Sequence, residues 1–207
     1  MRKLVTISAS YGAGGNVVGP ALAERLGVPF LDRAIPVKVA EQLQVEPEEV
    51  DAVEDDPPSL LERLLRGFSA GDSVAPTWLP GIDLTPEDFR RETEKVLLAQ
   101  CQTGEGVMLG RAGAIVLRDD PRVLRVRLDG PRDARVRQAM GFGGIDEATA
   151  RRTAEHLDRT HVAYARELYG ADIRDFSLYD LMIDATRIGI DACVELIYAA
   201  AAETRGP

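Results

Sequence analysis

The stretch VTISASYGAGGNVVGPALAERLGVPFLD, residues 5–32, decides the fold. A short apolar run, Leu4 to Ile7, leads into a loop carrying Gly12, Gly14 and Gly15. A predicted helix then runs to Leu26, and a second short strand ends at Asp32. A glycine-rich turn between strand and helix lets backbone N–H groups converge on an anion, and the helix N-terminus adds the positive end of its dipole. The expected phosphate-binding atoms are therefore the main-chain groups of Gly12, Ala13, Gly14, Gly15 and Asn16, with Asn16 as the helix N-cap. Pro20 removes one hydrogen bond from the early turns, so the helix is expected to start late or to bend there. The loop lacks its usual ending. Where G-x-x-x-x-G-K-[ST] places a lysine, this chain has Gly15. The dinucleotide pattern G-x-G-x-x-G, begun at Gly12, fails as well, because Val17 stands at its third glycine. An NAD(P)-dependent oxidoreductase is thereby disfavoured.

Working outward, strands and helices keep alternating. Short apolar strands are predicted at Gly106 to Gly110, Val123 to Leu128 and Asp180 to Ile183. Helices are predicted from Ala34 to Leu43, from Thr85 (as N-cap) to Gln102, from Pro131 to Met140, from Asp146 to Tyr169 and from Ile190 to Ala202. Repeated strand–helix–strand units imply right-handed crossovers and a doubly wound, mostly parallel sheet in an α/β fold. The proline-punctuated region of about 34–84 has short helices and no strand, and reads as a helical insertion in one domain spanning 1–207.

With 207 residues, 45% hydrophobic and 29% charged, the chain can bury the core of an ordinary globular domain. No apolar run approaches the roughly 20 residues of a membrane span, and no signal-peptide pattern opens the chain, so a cytoplasmic protein is expected. The net charge of −9 argues against nucleic acid and anionic membranes as partners. Cys101 and Cys193 match no metal spacing and are expected as buried free thiols. His156 and His161, five apart on one predicted helix, face different ways and are expected at the surface; no metal site is predicted. With only three lysines in the chain, phosphate contacts beyond the backbone fall to arginine, whose planar fork suits them.

Two strand ends carry candidate side chains. Asp32 ends the second strand, where open α/β sheets bind ligands, although a helix N-cap explains it equally well. Arg111 follows Gly110 at the end of another strand and is expected either to reach the same crevice or to make a structural ion pair. The arginine-rich stretch from Arg132 to Arg166 is either a solvated face or a cover for phosphates.

With these residues in place, the chain resembles the cytidylate kinase-like family of P-loop nucleoside monophosphate kinases. The stretches that carry the likeness are TISASYGAGG at 6–15 with ALAERLGVPFLDR at 21–33, VMLGRAGAIVLRD at 107–119 with VLRVRLDGP at 123–131, DRTHVAYARELYG at 158–170, and LYDLMIDATRIGIDACVELI at 178–197. The resemblance implies a five-stranded parallel sheet, an acceptor-nucleotide subdomain at about 34–84, and a mobile arginine-rich lid at about 141–170. It implies transfer of the γ-phosphoryl of ATP, with Mg²⁺, to CMP or a related monophosphate. It points to Arg111, Arg159 and Arg166 as catalytic arginines and to Asp32 and Arg33 as acceptor contacts. The departures lie at Gly15 and Val17, where cytidylate kinases carry lysine and threonine, and at Ala112, where they carry aspartate. If the chain is a degraded enzyme, Gly15→Lys with Val17→Thr is expected to raise its activity. The alternative is a non-catalytic nucleotide or anion binder on the same fold. Expected partners are nucleotides or another small phosphorylated molecule, with a homo-oligomer left open.

Overall fold

A computed structural model describes residues 3–31 and 86–203. The insertion and its predicted helices, and with them Asp32, Arg33 and the Thr85 cap, lie outside the described residues. Five strands are present: β1 (Leu4–Ala9), β2 (Phe30–Leu31), β3 (Gly106–Leu109), β4 (Val123–Asp129) and β5 (Leu181–Asp184). The described helices are α1 (Gly15–Leu26), α2 (Pro86–Thr103), α3 (Arg111–Val116), α4 (Arg132–Gly143), α5 (Glu147–Tyr169) and α6 (Ile190–Ala202). A single 3₁₀ turn, Phe176–Leu178, precedes β5.

The strands form one sheet in the order β2-β3-β1-β4-β5, and every pairing is parallel. The expectation of a mostly parallel sheet thus sharpens to an all-parallel one. Chain direction around the sheet reverses at β1, which has β3 on one side and β4 on the other. Open α/β sheets bind ligands at such a switch point, beyond the carboxyl ends of the strands, and the glycine loop sits there.

Successive side chains in a strand point to opposite faces, which divides the core in two. Val5 and Ile7 of β1, with Val126 and Leu128 of β4, pack under Val18 and Leu22 of α1 and Val194 and Ile197 of α6. Leu4, Met108 and Val123 face the other way, against Leu97 of α2, Leu117 beyond α3, and Tyr164 and Leu168 of α5. Gly113 allows α3 to lie directly on β1, because a Cβ there would meet the Thr6 hydroxyl.

Three local expectations change. Helix α1 starts at Gly15, with Gly14 as a left-handed N-cap and no side-chain cap, so Asn16 is the second helical residue and not the cap. Pro20 stands inside α1 without delaying its start. The segment after Gly110 turns at once into α3, a two-turn helix that a glycine-bearing six-residue run does not announce. Asp146 caps α5 as predicted: its side chain accepts from the Thr149 N–H at 2.9 Å. Both cysteines are buried free thiols, and burial raises each thiol's pKa. His161, by contrast, is 3% exposed, so the expectation of two surface histidines fails there. One face of α5 is core, and position 161 falls on it.

Candidate functional site

The loop leaves β1 at Ser10, whose N–H donates to Leu128 O at 3.1 Å and so ties it to the end of β4. The Ala13 N–H donates back to Ser10 O at 3.0 Å, closing a turn. Gly12 (φ 76) and Gly14 (φ 77) both take the left-handed conformation that residues with a Cβ avoid. Gly14 O then accepts from the N–H groups of Val17 and Val18, at 3.0 and 2.9 Å. The N–H groups of Gly12, Gly14, Gly15 and Asn16 donate to no backbone acceptor among the described residues. Four open donors at the start of a helix form an anion-binding geometry.

Neighbouring elements shape this loop from one side. A Cβ at Gly12 would strike the carbonyl oxygen of Arg135 in α4. A Cβ at Gly14 would stand 2.7 Å from Ile190 Cδ1 of α6 and 3.3 Å from Gln138 Nε2 of α4. Position 15 is closed from below, since a Cβ there would lie 2.6 Å from Ala9 Cβ and 3.0 Å from Leu109 Cδ1. The phosphate-loop pattern has its first glycine at position 9, six before the lysine, and here that residue is Ala9. The methyl of Ala9 fills the space into which a lysine at 15 would begin. The expected rescue by Gly15→Lys with Val17→Thr therefore meets a steric bar that the sequence alone does not reveal.

Beneath the loop lies a network that sequence patterning left unassigned. Arg127 of β4 is 4% exposed; its Nη2 donates to Ser10 Oγ at 2.7 Å and to Asp129 Oδ2 at 3.0 Å. Arg135 is also buried, and its guanidinium donates to Tyr11 O at 2.7 Å, to Gly130 O at 2.9 Å and to Asp158 Oδ2 of α5 at 2.7 Å. Asp129 Oδ1 lies 3.4 Å from Arg135 Nε, so Asp129 links the two arginines. The signal was present in the run VLRVRLD: arginines at alternate positions of an interior strand share one face. Buried there, they must be paired.

Gly12 to Gly14 lie in the β1–α1 loop, and Gly15 and Asn16 open α1. Arg111 opens α3, at the carboxyl end of β3. Arg159 lies on the solvent side of α5, with Nη2 3.6 Å from Glu155 Oε1 and a side chain 74% exposed. Arg166 is exposed one heptad further along the same helix. Neither Arg159 nor Arg166 donates to a loop atom among the described residues in this conformation. The first half of α5 packs through Ala150 and Ala154 on Val136 and Ala139 of α4, and its second half joins the core against α2 and α3. Gly144 and Gly170, both at φ 62, bracket it.

Among the described residues, Mg²⁺ finds no ready-made site. No group of three or more His, Cys, Asp and Glu able to hold a metal ion occurs among the described residues. Positions 16 and 17 supply an amide and an isopropyl group where a hydroxyl would be needed. Asp129 is taken up by two arginines. Asp184, at the end of β5, accepts from the Thr186 hydroxyl at 2.6 Å and N–H at 3.0 Å. Those bonds hold its carboxyl below the usual carboxylate range.

Comparison with known proteins agrees with this fold. The model of the cytidylate kinase-like family matches residues 4–187. A cytidylate kinase from Methanopyrus kandleri is 25% identical over 206 residues, covering 95% of this chain and 92% of the relative. Among solved structures, an uncharacterized protein from Eubacterium ventriosum superposes with a TM-score of 0.68 at 17% identity, covering 97% of this chain and 99% of that one. A shikimate kinase from Bacteroides thetaiotaomicron superposes with a TM-score of 0.51 at 15% identity, covering 97% and 98%.

Proposed function

This chain belongs to the cytidylate kinase-like family, and from that premise we propose that it transfers the γ-phosphoryl group of ATP to CMP or a related nucleoside monophosphate. The observation that carries the proposal is the loop of residues 10–16 at the switch point of the sheet, with four N–H groups that donate to no backbone acceptor among the described residues. Phosphoryl transfer asks little covalent chemistry of a protein; it asks for alignment and for charge stabilisation. The backbone donors, the α1 dipole and Arg111 hold the phosphates, while Asp32 and Arg33 are assigned to the acceptor. Arg159 and Arg166 are assigned to the transferring group, which they reach when α5 closes over the crevice as the lid of residues 141–170. ATP is the donor, and Mg²⁺ is expected to enter on the nucleotide and not on a preformed protein site. Its chemistry is to neutralise charge on the β- and γ-phosphates.

One observation favours a second reading. The Ala9 methyl occupying the place of a lysine at 15 suits a loop settled into life without that side chain. A nucleotide or anion binder that no longer turns over has the same loop. Coupled measurement of ADP release from ATP, across CMP, UMP, dCMP, AMP and GMP, separates the two. Monophosphate-dependent ADP release, reduced about 10²–10³-fold by Arg159→Ala or Arg166→Ala, is the expected result. Nucleotide-induced stabilisation against heat without any turnover assigns the chain to the binder class.

A further inference from the structure

The loop lacks a lysine, yet a cation stands below it. Arg127 is one of the most deeply buried charged side chains described, and only part of its guanidinium is used. Nη2 bonds Ser10 and Asp129, but Nη1 is buried with no hydrogen-bond partner among the described residues. Ser8 is the register partner of Arg127 across the β1–β4 ladder, so the two side chains share a face of the sheet. The Ser8 hydroxyl is likewise buried and without a partner among the described residues. Buried donors are almost always satisfied, and leaving a charged one open costs more than leaving a neutral one open. Arg127, bonded to Ser10 at the start of the glycine loop, and Ser8, its register partner, offer donors that an incoming anion oxygen would satisfy.

We infer that Arg127 is the cation of this phosphate site: its Nη1, with the Ser8 hydroxyl, donates to an oxygen of the phosphate held by the loop. It thereby supplies from β4 the charge that the absent side chain at position 15 would have supplied from α1. The arrangement is internally consistent. Arg135 shares Asp129 and also takes Asp158, so the two carboxylates balance the two arginines without occupying the free edge of Arg127. The same packing explains why position 15 needs no room for a long chain. The inference rests on the loop binding phosphate, as proposed above, and its ligand class is a di- or triphosphate group.

The test uses inorganic pyrophosphate as the probe, on the full chain, by calorimetry at low salt. Arg127→Lys keeps a charge and can still reach Ser10 and Asp129 but loses the Nη1 edge; Ser8→Ala removes only one hydroxyl. Both are expected to keep the wild-type urea midpoint to within a small shift and to bind pyrophosphate at least tenfold more weakly. The ¹⁵Nη resonances of Arg127 are expected to move when pyrophosphate is added to wild type, which a purely structural arginine would not show. Unchanged affinity in both folded variants, with unmoved resonances, overturns the inference and leaves the kinase proposal standing. Wild type that turns over nucleotide but ignores pyrophosphate does the same. No binding and no turnover removes both.

Discussion

Ala9 and Gly15 act as a matched pair: a Cβ at 15 would stand 2.6 Å from the methyl at 9, so one side chain excludes the other. Introducing Gly15→Lys alone forces overlap with Ala9 and Leu109 in a packed strand–helix contact, and such overpacking costs about 1–3 kcal/mol. Gly15→Lys is therefore expected to lower the urea midpoint and to leave turnover no higher. Adding Ala9→Gly is expected to recover most of the lost stability and to permit any gain in nucleotide affinity. A single Gly15→Lys variant as stable as wild type would show that the loop has slack the structure does not show. A second residue-level prediction concerns Arg135, whose guanidinium braces Tyr11 O from below and pairs with Asp158. Arg135→Met strands Asp158 and unties the loop, so a loss of about 3 kcal/mol is expected in chemical unfolding. A loss under about 1 kcal/mol would mean that water replaces those bonds readily.

At the level of elements, α5 begins with a defined cap. Its Asp146 accepts from the backbone N–H and hydroxyl of Thr149, and these bonds hold its pKa below the ordinary carboxylate value of 3.8. A group whose folded-state pKa is depressed contributes stability above its unfolded pKa and loses it as pH falls through the folded one. Asp146→Ala should therefore lower the melting temperature at pH 7, and the gap between variant and wild type should close as the pH drops below 3.8. A gap that stays constant down to acid would assign the effect to something other than the charged cap. That cap was legible in the sequence, because an aspartate before a long periodic segment has one common use. All five strands and the long helices were legible for the same reason: their apolar runs and breakers agree. The start of α3 was not, since Gly110 and Gly113 weaken any helical signal and packing on Thr6 decides the conformation. The backbone of the loop was readable from its glycines, but the Arg127–Asp129–Arg135–Asp158 network was not. It joins β4, α4 and α5 across stretches of chain that only the folded sheet brings together.

For the whole molecule, the proposed function requires Arg159 and Arg166, both exposed on α5, to reach a phosphate at the glycine loop. In that proposal the sheet with its buried arginine network is the floor and α5, bracketed by Gly144 and Gly170, is the cover. Hydrogen exchange should find the amides of Glu147–Tyr169 less protected than those of β1 and β4 in the free protein, and slowed once ATP and CMP are bound together. Identical protection in both states would contradict a lid and make α5 a permanent part of the wall. The proposed kinase activity stands on turnover. The measurement that tests it most directly is ADP formation from ATP by the full chain, with and without CMP or another nucleoside monophosphate. The expected result is ADP release that depends on the monophosphate and is matched, mole for mole, by the nucleoside diphosphate product. Absence of monophosphate-dependent ADP with every acceptor, from protein shown to be folded, would contradict it.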